Sequence, residues 1–233
     1  MTILLLIRHG ENDVMQHRLA GRTPGVSLND TGRQQAGQLA QALKDAPIRA
    51  VYSSPLDRAV ETAAPIANSH GLVLQIRPAL IEVNYGRWQG RTYKQLSRLK
   101  LWRSIRERPS QVRFPEGETL SEVQQRVVAE LDGLVREWQP SSEPEPQPEA
   151  VIAVVSHADI IRLALAHYLN LALDDYTRLM VAPAAISMVQ HDGLNRPRVI
   201  SINQAAIFSW PEQISIKPGK GEKQRTRSRR GGG

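Results

Sequence analysis

Ile3-Leu4-Leu5-Leu6-Ile7 is an unbroken apolar run that stops at Arg8-His9-Gly10. A run of this length without alternation predicts a strand covered on both faces. The period then lengthens. Ala36, Leu39, Ala40 and Leu43 recur at helical spacing behind Asn29 and Asp30, either of which can cap a helix. Ala50-Val51-Tyr52-Ser53 predicts a second, short strand. Ser54, Pro55 and Asp57 then have the spacing of a capped helix start. The apolar face of that helix is Leu56, Ala59, Val60, Ala63 and Ala67, with Gly71 as its stop. Leu72 to Ile76 predicts a third strand.

From Leu80 to about Pro115 the periodicity weakens into a long excursion, with one helix expected near Tyr93 to Arg106. Thr119 and Glu122 form a capping box before a helix carrying Leu120, Val123, Val127, Leu131, Leu134 and Trp138 on one face. The stretch from Gln139 to Glu149 holds four prolines and three glutamates and predicts an exposed loop. Val151 to Val155 is a further buried strand. It runs into Ser156-His157-Ala158-Asp159, another Ser-x-x-acid cap, and an apolar helix to about Leu169. Ala185 to Gln190 and Arg198 to Asn203 are expected to complete the sheet. Strands alternating with helices and no internal repeat imply one α/β domain with a mostly parallel central sheet.

Composition narrows the chemistry more than the fold. None of the 233 residues is cysteine, which removes disulfides, thiolate metal sites and a cysteine nucleophile. No apolar run approaches the roughly 18 residues of a membrane span. The run at 3–7 is too short for a signal-peptide core and has no basic residue before it. A cytoplasmic protein with no membrane partner is therefore expected. The net charge of +7 belongs to the end of the chain: from Lys217 onward there are seven basic residues and one acid. What precedes them is within one charge of neutral, so overall charge gives no nucleic-acid reading for the folded part. A domain over residues 1–210 and a basic, Gly-rich, disordered tail over 211–233 are expected. Contact of that tail with nucleic acid is the minor reading beside a solvated extension.

Three segments share one location, the turn or helix start after a buried strand: Arg8-His9-Gly10, Ser53-Ser54-Pro55-Leu56-Asp57-Arg58, and Ser156-His157. In open α/β sheets ligands bind beyond the carboxyl ends of strands. Two histidines and two arginines are thus sent to one edge, where free helix amides already favour an anion. Arginine forks match phosphate oxygens, so this chemistry points to a phosphoryl pocket containing histidine. Taken singly, Arg58 is an ordinary arginine on an amphipathic helix, Asp159 a helix cap and Arg162 structural. His17, His70, His167 and His191 have no partners at metal-ligand spacing, so no metal and no cofactor are expected.

In these segments the chain resembles the histidine phosphatase, or phosphoglycerate mutase-like, superfamily. The resemblance is carried by Arg8-His9-Gly10-Glu11; by Ser53 to Ala59 with Thr62-Ala63; by Glu82 ahead of Tyr85-Gly86-Arg87-Trp88-Gln89-Gly90; by Pro115-Glu116-Gly117-Glu118; and by Ser156-His157 with Arg162. It implies a three-layer sandwich with helices on both faces of the sheet. It further implies that His9 is the nucleophile, that Arg8, Arg58 and His157 bind the phosphoryl oxygens, and that Glu82 protonates the leaving alcohol. Each role is physically sound. A neutral imidazole can attack phosphorus in line. Charge on the equatorial oxygens needs fixed positive groups, here arginines and a protonated histidine. A carboxyl flanked by Leu80, Ile81 and Val83 can hold a raised pKa.

Two departures from the family pattern bear on substrate. Where the family commonly has Thr or Ser after Arg-His-Gly-Glu and then Asn three positions on, this chain has Asn12 and Met15. Met15 donates no hydrogen bond, so the phosphate contact passes to Asn12 or to Arg22. The loop after Glu82 lacks the long basic insertion typical of cofactor-dependent mutases. The expected function is therefore a metal-independent phosphomonoesterase acting on a small phosphorylated metabolite through a phosphohistidine. The alternatives are a phosphoglycerate mutase and, from a different class, a non-catalytic phospholigand-binding protein.

Overall fold

The structure, a computed structural model, describes residues 1–138, 150–192 and 197–205. The expected loop at 139–149, the border at residue 210 and the basic tail lie outside the described residues.

The elements follow in the order β1 (Thr2–Arg8), α1 (Asp30–Leu43), β2 (Ile48–Ser53), α2 (Asp57–Ser69) and β3 (Leu74–Ile76). Next come α3 (Tyr93–Leu96), α4 (Lys100–Glu107), α5 (Leu120–Glu137), β4 (Ala150–Ser156), α6 (Ala158–Tyr168), β5 (Ile186–His191) and β6 (Arg198–Gln204). They form a six-stranded sheet in the order β3-β2-β4-β1-β5-β6. The first four strands are parallel, while β5 runs antiparallel to β1 and β6 antiparallel to β5.

The period of two in a strand explains why β1 and β4 are apolar throughout. Ile3, Leu5 and Ile7 pack with Leu39 and Leu43 of α1 and Ala59, Ala63 and Ile66 of α2. Leu4 and Leu6 face the other way, onto Val127, Leu131 and Leu134 of α5 and Ile161 and Leu165 of α6. Two cores, one on each face, make the three layers. Each fully buried Leu or Ile contributes about 1.5–3 kcal/mol by removal from water.

Of the two candidate caps for α1, Asn29 is the one used; its Oδ1 accepts from the Gly32 amide at 2.9 Å. The Thr119–Glu122 box at α5 forms in both directions. The other two expected caps do not form. Helix α2 starts at Asp57 behind Leu56, and α6 starts behind His157, neither with a side-chain cap. Ser54 and Ser156 are instead drawn into tertiary contacts: Ser54 Oγ pairs with His157, and Ser156 Oγ donates to the Leu80 carbonyl at 2.8 Å.

The single helix expected over 93–106 is two. In one continuous helix, Leu96 and Ile105 would lie about 180° apart around the axis. Leu99 is extended, and this break lets both side chains reach the same core beside Leu80, Trp88 and Phe114. A second capping box, Thr92 with Gln95, starts α3.

Candidate active site

The ends of β1, β2 and β4 are locked to one another through backbone hydrogen bonds. The His9 amide donates to the Ser156 carbonyl at 2.9 Å, and the Ser54 amide to the Val155 carbonyl at 3.0 Å. Gly10 permits the next step of the chain. A Cβ there would lie 2.7 Å from the Gly32 carbonyl oxygen, so only glycine lets the turn pass α1. The Gly10 amide donates to Thr62 Oγ1 at 3.0 Å, and that hydroxyl donates to the Arg58 carbonyl at 2.7 Å. The segments carrying His9 and Arg58 are thereby tied together.

Both histidines are buried, and their partners fix their tautomers. Nδ1 of His9 lies 2.7 Å from the Gly10 carbonyl, which only accepts, so Nδ1 carries the proton. Its Nε2 is therefore unprotonated and accepts a hydrogen bond from Nε of Arg58 at 3.3 Å. Burial, then the charges of Arg58 and Arg8, hold the His9 imidazole well below its ordinary pKa and therefore neutral. Nδ1 of His157 accepts from Arg58 Nη2 at 3.3 Å, while Nε2 donates to Ser54 Oγ at 2.7 Å. Burial and the nearby Arg58, His9 and Arg8 also lower its pKa well below the ordinary value. Where a protonated histidine was expected among the phosphoryl ligands, His157 is thus held neutral, first by burial and then by the cations around it.

Arg58, expected to be unremarkable in isolation, is 2% exposed. Its Nη2 also donates to the Gly21 carbonyl at 2.8 Å, and Arg8 Nη1 donates to the Val181 carbonyl at 2.7 Å. Asn12 Oδ1 accepts the amides of Val14 and Met15, both at 3.1 Å. These contacts fix the three side chains but leave Arg58 Nη1, Arg8 Nε and Asn12 Nδ2 buried without a partner. All three residues line one cavity of about 170 Å³, together with His9, Glu82 and Met15. Leaving a buried donor unpaired costs about 1–3 kcal/mol, more for a charged one, and an anion in the cavity removes that cost.

Glu82 closes the opposite side. Its Oε1 accepts the Val83 amide at 2.9 Å. Its carboxyl is pushed up to about 7, first by burial and then by the charge of Asp159, against the opposing Val83 amide, Arg58 and Arg8. Asp159 does not cap α6. It accepts from Tyr85 Oη at 2.6 Å and from Arg162 Nη1 at 3.1 Å, and all three line the cavity. Arg22 is placed differently from its expected role. Its Nε donates to the Glu82 carbonyl at 2.7 Å and its Nη2 to Glu118 Oε2 at 2.8 Å, so it braces the loop behind the acid rather than lining the cavity. Of the two residues that could donate to phosphate where Met15 cannot, Asn12 is therefore the one in position. Sequence reasoning missed Ser54, Tyr85, Asp159 and Glu118. The Glu118 position was visible only as part of the Pro115-Glu116-Gly117-Glu118 block. Among the described residues no three His, Asp or Glu side chains are grouped to hold a metal ion, and no helix is long and apolar enough to cross a membrane.

This arrangement has known counterparts. Residues 4–205 match the histidine phosphatase superfamily (branch 1). The chain belongs to that superfamily. Phosphoserine phosphatase 1 of Hydrogenobacter thermophilus is 28% identical over 209 residues, covering 87% of this chain and 92% of that protein. A probable phosphoglycerate mutase of Erwinia tasmaniensis is 31% identical over 193 residues, covering 82% and 86%. A mycobacterial glucosyl-3-phosphoglycerate phosphatase superposes with a TM-score of 0.76 at 26% identity, covering 88% of this chain and 99% of that one. The chain spans about half the length, or less, of the Mycobacterium tuberculosis relatives that match it over 77 and 207 residues. The α/β sandwich with a six-stranded central sheet is thus a histidine phosphatase fold.

Proposed function

We propose that this histidine phosphatase superfamily member is a metal-independent phosphomonoesterase of the cytoplasm. It hydrolyses a small phosphorylated metabolite through a phosphohistidine on His9. The observation that carries this is the state of His9: neutral and unprotonated at Nε2, where only the Arg58 Nε hydrogen bond engages it, in a cavity beside two arginines that each have an unpaired donor.

In the first step, His9 Nε2 attacks phosphorus and the bond from phosphorus to the ester oxygen breaks. Glu82, protonated up to about pH 7, gives its proton to that oxygen and the alcohol leaves. Arg8, Arg58 and Asn12 Nδ2 hold the equatorial oxygens, whose charge the fixed guanidinium groups balance without reorganising. A bound dianion also reverses the local field at His157. The imidazole can then take a proton at Nδ1 and supply the expected positive charge. In the second step, water attacks phosphorus, the bond from phosphorus to His9 Nε2 breaks with its electron pair returning to the imidazole, ionised Glu82 takes the water's proton, and inorganic phosphate is released.

The test is a rapid quench after mixing with ³²P-labelled 3-phosphoglycerate, phosphoserine and sugar phosphates. Protein-bound label should survive alkali, be released by acid as phosphoramidates are, and be absent in His9→Ala, which should slow turnover roughly 10⁴-fold or more. Phosphate release without 2-phosphoglycerate supports the hydrolase. Isomer without phosphate makes the chain a mutase, and neither product makes it a phospholigand-binding protein.

A further inference from the structure

Near-neutrality of the chain before its tail conceals a separation of charge. Residues 87–113 hold nine basic residues and one acid, Glu107, while everything else before Lys217 is acidic by seven charges. The segment lacks a long insertion yet is densely basic. Its two ends are neutralised: Arg87 pairs with Glu116 and Arg113 with Glu122. Its middle is not. Arg91, Lys94, Arg98, Lys100, Arg103 and Arg106 are all exposed. Among the described residues only Arg103 of these six has an ion pair, with Glu107 at 3.4 Å.

In α4, Lys100, Arg103 and Arg106 recur every third residue on the face opposite Leu101, Trp102 and Ile105. Like charges at that spacing weaken a helix, so the fold gains nothing from them internally. The segment also reaches the active site. Tyr93, 36% exposed, lines the cavity together with Arg18, and its ring lies 6.3 Å from that of Trp102 in α4. Arg18 joins the same strip through a bridge to Thr92 and a hydrogen bond to the Gly90 carbonyl at 3.3 Å.

We propose that this strip docks the part of the substrate that does not react, and that the substrate is a nucleotide carrying further phosphates beyond the one removed. The proposal rests on the phosphatase reading. A cavity of about 170 Å³ is smaller than a nucleotide carrying further phosphates, so the remainder of such a substrate lies across the mouth. There it meets an exposed tyrosine flanked by arginine and lysine, the combination that stacks a base and tracks a phosphate backbone. Inorganic polyphosphate has no use for the ring, and an acidic peptide meets the arginines with carboxylates but brings no base to stack on the ring.

Thymidine 5′-phosphate and 5′-phosphorylated tetrathymidylate share a leaving group and differ in the further phosphates. At low salt the tetranucleotide should have a kcat/KM at least about tenfold higher. Its advantage should shrink with salt by a log–log slope of about −2, as for three phosphate contacts on a single strand. In the triple variant Lys94→Glu, Arg98→Glu, Arg106→Glu that advantage should disappear, with the mononucleotide rate and the melting temperature kept. A wild-type ratio near one, or a ratio the triple variant leaves alone, overturns the proposal. Hydrolysis of 3-phosphoglycerate, phosphoserine or a sugar phosphate but of neither nucleotide ester overturns the nucleotide assignment; if no ester at all is hydrolysed, the phosphatase reading fails. Docking is then decided by fluorescence anisotropy of labelled tetrathymidylate on His9→Ala with and without the three glutamates; binding weakened about tenfold supports the strip, and equal binding refutes it. Displacement of the label by inorganic polyphosphate or a phosphorylated acidic peptide at concentrations where unlabelled tetrathymidylate has no effect overturns the nucleotide assignment.

Discussion

The two sides of the cavity are held in place by different means. His9, Arg58 and His157 extend from the ends of β1, β2 and β4, whose neighbours are fixed by parallel ladders and by apolar layers above and below. Glu82 comes from an irregular loop, and what holds it is a cluster of charges. Glu118 Oε2 accepts the Asn84 amide at 2.8 Å, Arg22 Nη2 at 2.8 Å and Arg126 Nη2 at 3.3 Å. Arg22 then holds the Glu82 carbonyl, and Arg126 Nη1 holds the carbonyls of Ala79 and Ile81. A sheet positions its residues cooperatively, so one substitution is shared among many bonds. A clamp through one carboxylate is not redundant. The nucleophile side should therefore tolerate nearby change better than the acid side.

Glu82→Gln should give the largest effect on that contrast. It keeps the shape but removes the proton, and general acid catalysis is typically worth about 10²–10⁴-fold. Phosphorylation of His9 by an alkyl phosphate should slow by that factor. Phosphorylation by p-nitrophenyl phosphate, whose leaving group needs no proton, should change little and appear as a burst of nitrophenol. Equal slowing with both substrates would mean that Glu82 only positions the substrate, leaving His157 as the next candidate acid.

Glu118→Gln tests the clamp itself. It should lower kcat for alkyl phosphates roughly tenfold with p-nitrophenyl phosphate nearly spared, because misplacing a proton donor matters only where a proton is needed. A fall shared by both substrates in proportion to lost folded protein would show that Glu118 merely stabilises the fold.

The smallest effect is on stability against pH. The folded Glu82 carboxyl is raised to about 7, above the ordinary range, so its burial is fully tolerated below that range. The contribution is lost as pH rises to and through about 7, where the unfolded chain would already be ionised. Glu82→Gln removes this loss. Relative to wild type the variant should gain on the order of 1–3 kcal/mol between about pH 5 and about pH 8, read by denaturant titration. Over the same range the alkyl phosphate rate of the wild type should decline. A constant stability difference would place the Glu82 pKa in the ordinary range.

Residues at strand ends were legible because their signal is local. An apolar run that stops at Arg8-His9-Gly10 predicts both the strand and the exit at its tip, and the same holds for His157 after β4. Glu82 was legible from its block and its apolar neighbours. Arg22 and Glu118 were not. Apart from Arg126, 8 positions from Glu118, the partners of their side chains lie 34 to 96 positions away, and nothing in the local pattern separates a bracing arginine from a ligand-binding one. The serines misled for a related reason. Ser54 and Ser156 have the spacing of helix caps, but a buried imidazole and a buried carbonyl had greater need of their hydroxyls.

By itself, the sequence determined the order of strands and helices, the two faces of β1 and β4, and which reactive side chains stand just beyond a strand. All of these follow from periodicity, which is written within a few residues. Tertiary structure decided the tautomers and neutrality of His9 and His157, the raised pKa of Glu82, the break between α3 and α4, and the partners of Arg22. These depend on burial and on charges brought together from distant segments. Electrostatic energy is set by distance in space and by exclusion of water, neither of which a linear pattern records.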